Sequence, residues 1–133
     1  MADLSQISVE QYMSKSLLTF TRDMDVMTAI GSLVKNRHSG APVCDAAGNL
    51  VGLLSEKDCL KVAVAASFEG ISPGMVEDFM TAKPVAIAPD DTLLEAATRF
   101  LDSPFKRFPV VKGGKLVGQL SRSDILRAIH ENS

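Results

Sequence analysis

Two short segments of this 133-residue chain place a serine three positions before an aspartate, just ahead of a stretch with apolar residues at helical spacing. These segments are 52–58 (GLLSEKD), with Ser55 and Asp58, and 118–124 (GQLSRSD), with Ser121 and Asp124. The spacing predicts a capping box, in which the two residues satisfy each other's backbone N–H groups at the start of a helix. The same corner also suits a nucleotide. A helix N-terminus attracts phosphate, and a carboxylate one turn along accepts hydrogen bonds from ribose hydroxyls. Both interpretations stay open, because a capping residue can also contact a ligand.

The two corners close the two copies of an internal repeat. Residues 9–14 (VEQYMS) recur as 76–81 (VEDFMT), 67 positions further along, and the Pro-Val pair at 42–43 recurs at 109–110. After a hairpin turn that is one residue shorter in the second copy, the offset falls to 66. A Gly/Pro cluster at 70–74 (GISPG) indicates a connection. We therefore expect a first domain at 9–66, a linker at 67–75 and a second domain at 76–131.

Each repeat predicts the element order β-α-β-β-α. Short strands are expected at 17–20 and 84–87, and each precedes a helix with apolar residues at i, i+1, i+4, i+7 and i+8. Asp25 caps the first of these helices, and Thr92 with Glu95 forms a capping box on the second. A hairpin follows, with turns at 46–48 and 113–114. The last helix of each repeat is expected to bury an apolar set, which comprises Cys59, Leu60 and Ala63, or Ile125, Leu126 and Ile129.

One repeat is too small to bury both faces of its sheet and helices. The expected fold class is therefore α/β (α+β), with the two repeats packed through their sheets as a pseudo-twofold pair. A cleft between two such units is a natural place for a ligand.

The tandem repeat, the Pro-Val strands and the Gly-h-h-Ser-x-x-Asp endings together resemble a pair of CBS domains, named after cystathionine β-synthase. The resemblance covers residues 9–130, and the stretches 80–85 (MTAKPV) and 89–96 (PDDTLLEA) are especially close to the family pattern. It implies a stand-alone regulatory module that binds an adenine nucleotide (AMP, ADP or ATP) between the repeats and passes its state to an effector protein. It also implies a homodimer, and no cofactor apart from this regulatory ligand.

The resemblance also implies which residues meet the ligand. Ser55, Asp58, Ser121 and Asp124 would contact phosphate and ribose. The base would lie against the first strand and the Pro-Val strand, at Leu18, Gly40, Ala41 and Pro42 in the first repeat and at Pro84, Val85, Phe108 and Pro109 in the second. Lys83 is a further candidate for ligand binding. Basic residues also precede the Pro-Val strand in both repeats, Lys106 and Arg107 in the second and Arg37 and His38 in the first. Their two alternative roles are to neutralise phosphate and to be solvated loop charges. Sheet packing is the alternative role for the apolar members. The first repeat departs from the pattern, because it has 15–18 (KSLL) where the second has 82–85 (AKPV).

Other functional classes fit this chain less well. Fourteen basic and sixteen acidic residues leave a net charge of −2, which argues against a nucleic-acid partner. No run approaches the ~18 apolar residues of a membrane span, and residues 1–6 do not resemble a secretory signal. Cys44 and Cys59 match no metal or redox spacing, so we expect a reduced cytoplasmic protein without a metal.

The sequence shows no P-loop and no paired nucleophile and base, so we expect no enzyme. The alternative to a sensor is a ligand-free dimerisation or docking scaffold, in which both Ser-x-x-Asp corners only cap helices.

Overall fold

The computed structural model describes residues 3–69 and 73–133, so residues 70–72 of the predicted linker lie outside the described residues. Its helices are α1 (Val9–Tyr12), α2 (Val26–Asn36), α3 (Glu56–Glu69), α4 (Leu93–Leu101) and α5 (Arg122–Glu131). Its strands are β1 (Gly40–Cys44), β2 (Leu50–Ser55), β3 (Thr81–Ala82), β4 (Arg107–Lys112) and β5 (Lys115–Ser121). The mixed helix and strand content, with one small sheet in each half, confirms the predicted fold class.

The chain forms two compact units, and their limits do not follow the sequence repeats. One is contiguous, Leu18–Pro84, and the other is split between residues 3–17 and Val85–Ser133. We call them the contiguous unit and the split unit. Helix α1 opens the first repeat but belongs to the split unit, and β3 belongs to the second repeat but lies in the contiguous unit. The domain limits drawn from the sequence, 9–66 and 76–131, describe the duplication and stay a prediction.

Each unit thus contains one segment of the other repeat, and we call these two segments, which include α1 and β3, the exchanged segments. They attach to their units by matching hydrogen bonds. In the split unit, the N–H of Val9 donates to Asp91 O at 2.8 Å, and the N–H of Ser14 donates to Gln119 O at 2.8 Å. In the contiguous unit, the N–H of Val76 donates to Met24 O at 2.9 Å, and β3 pairs antiparallel with β2. The same repeated segment therefore occupies the same place in both units.

A buried glycine makes room for the methionine of each exchanged segment. A Cβ on Gly118 would lie 2.6 Å from Met13 Sδ and 3.0 Å from Ser14 O, and a Cβ on Gly52 would collide with Met80 Sδ. Any larger residue at either glycine would have to displace the segment that packs over it.

The predicted hairpins are present in both units. β1 pairs antiparallel with β2, and β4 pairs antiparallel with β5. The turns use glycine in the left-handed region, with φ of 88° at Gly48 and 58° and 82° at Gly113 and Gly114. Side chains disfavour this backbone conformation, which explains the glycines.

The strands predicted at 17–20 and 84–87 are wrong, because each makes only a single parallel bridge. Phe20 bridges to Val43 and Ile87 bridges to Val110. The next bond of such a ladder would need an N–H on Pro42 or Pro109, and proline has none. The Pro-Val pair therefore limits the ladder to one residue.

Each unit has its own core, and each core uses only part of the predicted apolar helix faces. Val26 and Leu33 of α2 are buried, whereas Val34 is 73% exposed. In α4, Leu93 and Phe100 are buried, whereas Leu101 is 87% exposed. One small sheet covers a narrower arc than the apolar stripe spans, so the rest of the stripe faces outward.

The predicted burial in α3 and α5 is correct only in part. Ile125 is buried, Cys59 and Ile129 are partly buried, and Leu60, Ala63 and Leu126 are exposed. Helix α3 buries Val62 instead, together with one charged residue, Asp58. The outward position of Leu60 and Leu126 has the same cause as that of Val34 and Leu101.

Candidate functional site

The corner between β2 and α3 is a complete capping box. Ser55 donates to Asp58 Oδ2 from its backbone N–H and from its hydroxyl, both at 2.9 Å, and the N–H of Asp58 donates to Ser55 Oγ at 3.2 Å. Asp58 is only 3% exposed. Its second oxygen, Oδ1, lies 3.8 Å from Lys61 Nζ. The cap therefore uses one carboxylate oxygen, and a lysine at i+3 lies near the other.

The corner between β5 and α5 repeats this arrangement in a more open form. The N–H of Ser121 donates to Asp124 Oδ2 at 2.8 Å, and the N–H of Asp124 donates to Ser121 Oγ at 3.2 Å. Asp124 Oδ1 accepts from Arg127 Nη2 at 3.2 Å. The Asp124 side chain keeps 20% of its exposure, against 5% for Asp58. Because a carboxylate offers about four acceptor positions, Asp124 retains the capacity to accept a further hydrogen bond.

Strand register brings other predicted residues to these corners. Gly40 pairs with Ser55 in the contiguous unit, and Arg107 pairs with Ser121 in the split unit. The first N–H of each helix donates to the preceding loop, from Glu56 to Ser39 O at 2.9 Å and from Arg122 to Lys106 O at 3.2 Å. The start of the Pro-Val strand therefore lies beside the start of the last helix in both units.

Gly40 and Arg107 hold matched positions in the two repeats, but they meet different surroundings. A Cβ on Gly40 would lie 2.9 Å from Leu54 O, which explains the glycine there. Arg107 and Lys106 are exposed at the start of β4. Of these two matched strand starts, only that of the split unit therefore carries a basic side chain.

The apolar candidates are distributed between core and surface. Ala41, Pro42, Phe108 and Pro109 are buried, and the side chains of Ala41 and Phe108 belong to the hydrophobic cores. Leu18 packs against the core of the contiguous unit.

The candidates at 83–85 lie where the chain passes from one unit to the other. Lys83 is exposed with φ of 53°, Pro84 is half-buried and Val85 is 52% exposed. A left-handed backbone is uncommon for lysine and marks a strained position.

Sequence reasoning missed Arg122 and Arg127, which flank the open corner. The guanidinium of Arg127 lies 5.0 Å from the centre of the Tyr12 ring and donates to Tyr12 O at 3.3 Å. Arg122 donates to carbonyls in the loop before β4. The i+3 spacing of Arg127 from Asp124 could have been recognised in the sequence. The side-chain hydrogen bonds of Arg122 span 17 and 19 positions and could not.

Arg37 and His38, the basic candidates predicted for the first repeat, line a groove in the contiguous unit. Its volume is about 500 Å³, and its walls come from α2, α3 and the loop before β1. The lining residues are Ile30, Leu33, Val34, Arg37, His38, Ser39, Glu56, Cys59 and Leu60. Ile30, Leu33, Val34 and Leu60 make part of this lining apolar, and Arg37, His38, Glu56 and Cys59 supply its titratable groups.

The two cysteines are partly buried free thiols. Burial raises the pKa of both, and the neighbouring carboxylates of Asp45 and Asp58 raise the pKa of Cys44 and Cys59 further. Within residues 3–69 and 73–133, no three His, Cys, Asp or Glu side chains cluster as metal ligands would. Over the same residues, no helix is both long and apolar enough to cross a bilayer.

Comparison with known proteins gives consistent matches over nearly the whole chain. The family model of the CBS domain matches residues 9–65 and 76–131. A CBS domain-containing protein of Dictyostelium discoideum is 33% identical over 131 residues, which cover 91% of this chain and 90% of that protein. The crystal structure of CBSX2 in complex with AMP superposes with a TM-score of 0.84 at 30% identity, covering 94% of this chain and 97% of that one. CBSX2 is a CBS-pair protein of Arabidopsis thaliana. The chain spans 42% of the length of the Methanocaldococcus jannaschii protein MJ1225, to which it is 24% identical.

Proposed function

Because the chain belongs to the CBS domain family and carries the domain twice, we propose that it is a regulatory module that binds an adenine nucleotide and passes its bound state to an effector protein. The observation that carries this proposal is the open corner at β5 and α5, where a partly exposed carboxylate, a helix N-terminus and two basic residues occur together. The AMP complex of CBSX2, at 30% identity, supports an adenosine ligand. The site predicted in the cleft between the repeats stays a prediction.

Different residues of this corner would contact different parts of the nucleotide. Asp124 uses Oδ2 for the cap and has Oδ1 turned to Arg127, so a ribose hydroxyl would donate to the remaining acceptor positions of Oδ1. Arg107 pairs with Ser121 in the strand register, and Lys106 O accepts from the N–H of Arg122, so both basic residues lie at this corner and would neutralise phosphate. Asp58 is more buried and lies in a corner whose strand begins with Gly40, so we assign it the weaker contribution.

Regulation requires that the nucleotide bind one arrangement of the protein better than another. In the proposed role, the chain would deliver that difference to a second protein. The proposal therefore includes an effector, whose identity the residues do not specify.

We further propose that the chain is a homodimer through its outward helix faces. The exposed apolar residues occur at matched positions of the two repeats, so each unit presents the same kind of face. The matched pairs are Met27 with Leu94, Val34 with Leu101 and Leu60 with Leu126. Exposed apolar surface of this kind marks an interaction site, and a second copy of the chain offers two equivalent faces in return.

Thermal unfolding of the whole chain with AMP, ADP, ATP, GTP, NAD and S-adenosylmethionine tests ligand binding. A ligand at about 100 times its dissociation constant should add about 2.7 kcal/mol to the unfolding free energy. We expect a saturable increase with an adenine nucleotide. If none of the six ligands stabilises the protein, the sensor proposal is wrong and the scaffold alternative stands.

The variant Asp124→Ala tests the site. It should abolish the ligand-induced stabilisation while costing about 1 kcal/mol of folding stability through the lost cap. Glu95→Ala is the matched control, because Glu95 closes the capping box of α4 in the same unit. The control should lose similar stability and keep the full ligand response. If Asp124→Ala responds like the control, Asp124 is only a capping residue.

A further inference from the structure

Arg122 ties the loop between α4 and β4 to the start of α5. Its Nε donates to Phe105 O at 3.0 Å and its Nη2 to Ser103 O at 3.3 Å. Its backbone N–H donates to Lys106 O at 3.2 Å. One residue thus holds three carbonyls of a four-residue stretch, and the planar guanidinium presents its donors in a fixed fork.

Aromatic side chains pack against the same loop and against Arg122. The guanidinium of Arg122 lies 6.0 Å from the centre of the Phe100 ring. The Phe105 ring meets Phe108 edge-on at 5.9 Å, and Phe108 packs on Phe100 at 4.5 Å. Because Phe100 and Phe108 are buried, the loop rests on a fixed surface.

The first repeat builds the same fold without this contact. Its residue at the matched position is Glu56, whose backbone N–H donates to Ser39 O in the same way. A carboxylate has no donor, so the Glu56 side chain cannot make the hydrogen bonds to loop carbonyls that Arg122 makes. A carboxylate there suits the positive end of the helix dipole, whereas the arginine opposes it. The hydrogen bonds of the Arg122 guanidinium are therefore not needed to form the fold of a repeat.

The held loop leads directly into the basic residues of the open corner. Lys106 ends the loop and Arg107 begins β4, opposite Ser121. We propose that Arg122 is a positioning residue, which fixes the loop at 103–106 so that Lys106 and Arg107 are held ready for the phosphate of the nucleotide. This inference rests on the proposed function, and it adds that the split unit supplies the pre-organised phosphate side of the site.

The test compares AMP with adenosine, because the two ligands differ only in the phosphate. Dissociation constants for both are measured calorimetrically on the full chain, for the wild type, Arg122→Gln, Arg122→Lys and the matched control Glu56→Gln. We expect Arg122→Gln to weaken AMP binding about tenfold and to leave adenosine binding within about twofold. Arg122→Lys should behave like the glutamine variant, because one ammonium cannot reproduce the fork, and Glu56→Gln should match the wild type.

Each alternative result would overturn the inference in a recognisable way. Equal losses of AMP and adenosine would make Arg122 a general structural residue. Full AMP affinity in Arg122→Lys would show that charge alone matters. Unchanged affinities in Arg122→Gln would remove any role for the loop contact. If the wild type binds neither ligand, the proposed function is wrong and the inference falls with it.

Discussion

Asp45 organises the turn between β1 and β2 through its own carboxylate. Its Oδ1 accepts from the N–H of Asn49 at 2.8 Å and from the N–H of Ala47 at 3.0 Å, and its Oδ2 accepts from the Asn49 side chain at 3.1 Å. Together these hydrogen bonds hold the pKa of Asp45 below its ordinary value of 3.8, and the bond from the backbone N–H of Asn49 has the largest effect. The ionised form is therefore favoured by folding.

This shift predicts an acid dependence of stability. Because the pKa is lower in the folded state, the contribution of Asp45 is fully present above 3.8 and is lost as the pH falls through the folded value. We expect Asp45→Ala to unfold at lower urea concentration than the wild type at pH 7. The difference should shrink at a pH below the folded value. An equal difference at both pH values would show that the carboxylate charge is not the stabilising feature.

Capping residues could be predicted from sequence, whereas the loop contacts could not. Asp25, Thr92 and the Ser-x-x-Asp corners act on backbone atoms within three positions, so their spacing alone predicts the hydrogen bonds. Arg122 reaches carbonyls 17 and 19 positions earlier in the chain. Nothing in its immediate neighbourhood specifies that contact.

Element assignment follows the same division between local and distant information. The hairpins and helices follow from periodicity and turn residues, whereas the strands at 17–20 and 84–87 fail because Pro42 and Pro109 stand opposite them. The placement of α1 in the split unit could not be predicted from the sequence. Residues 9–14 and 76–81 are so similar that either segment fits either unit by its own sequence.

The exchange of segments predicts which unit is destabilised when a methionine side chain is truncated. Met13 belongs to the first repeat but packs on Gly118 in the split unit, and Met80 belongs to the second repeat but packs on Gly52 in the contiguous unit. We expect Met13→Ala to destabilise the protein by about 2 kcal/mol because it leaves a cavity. By hydrogen exchange, this variant should lose protection in β4 and β5, and Met80→Ala should lose it in β1 and β2. The opposite pattern would mean that each segment stays with its own repeat.

At the scale of the whole molecule, the two cores do not explain the apolar residues on the outward helix faces. Each unit keeps the sheet side of its helices for its own core and exposes leucine or valine on the other side. Phe68 and Val64 extend this surface along α3, at 87% and 57% exposure. A second copy of the chain carries the same two kinds of face, which is why we propose it as the partner that covers them.

Charge substitution on these faces tests the homodimer without disturbing either core. Leu60→Glu and Leu126→Glu each change a side chain that is about two-thirds exposed, at 68% and 66%, so the fold of the single chain should survive. We expect each variant to weaken self-association at least about tenfold, because a carboxylate in an apolar interface loses its hydration. Sedimentation at several concentrations measures this, with Lys112→Glu at the exposed β4–β5 turn as the control that should remain associated. If both leucine variants sediment like the control, the helix faces do not hold two copies together. Effector binding would then be the next role of this surface to test, with the same two variants.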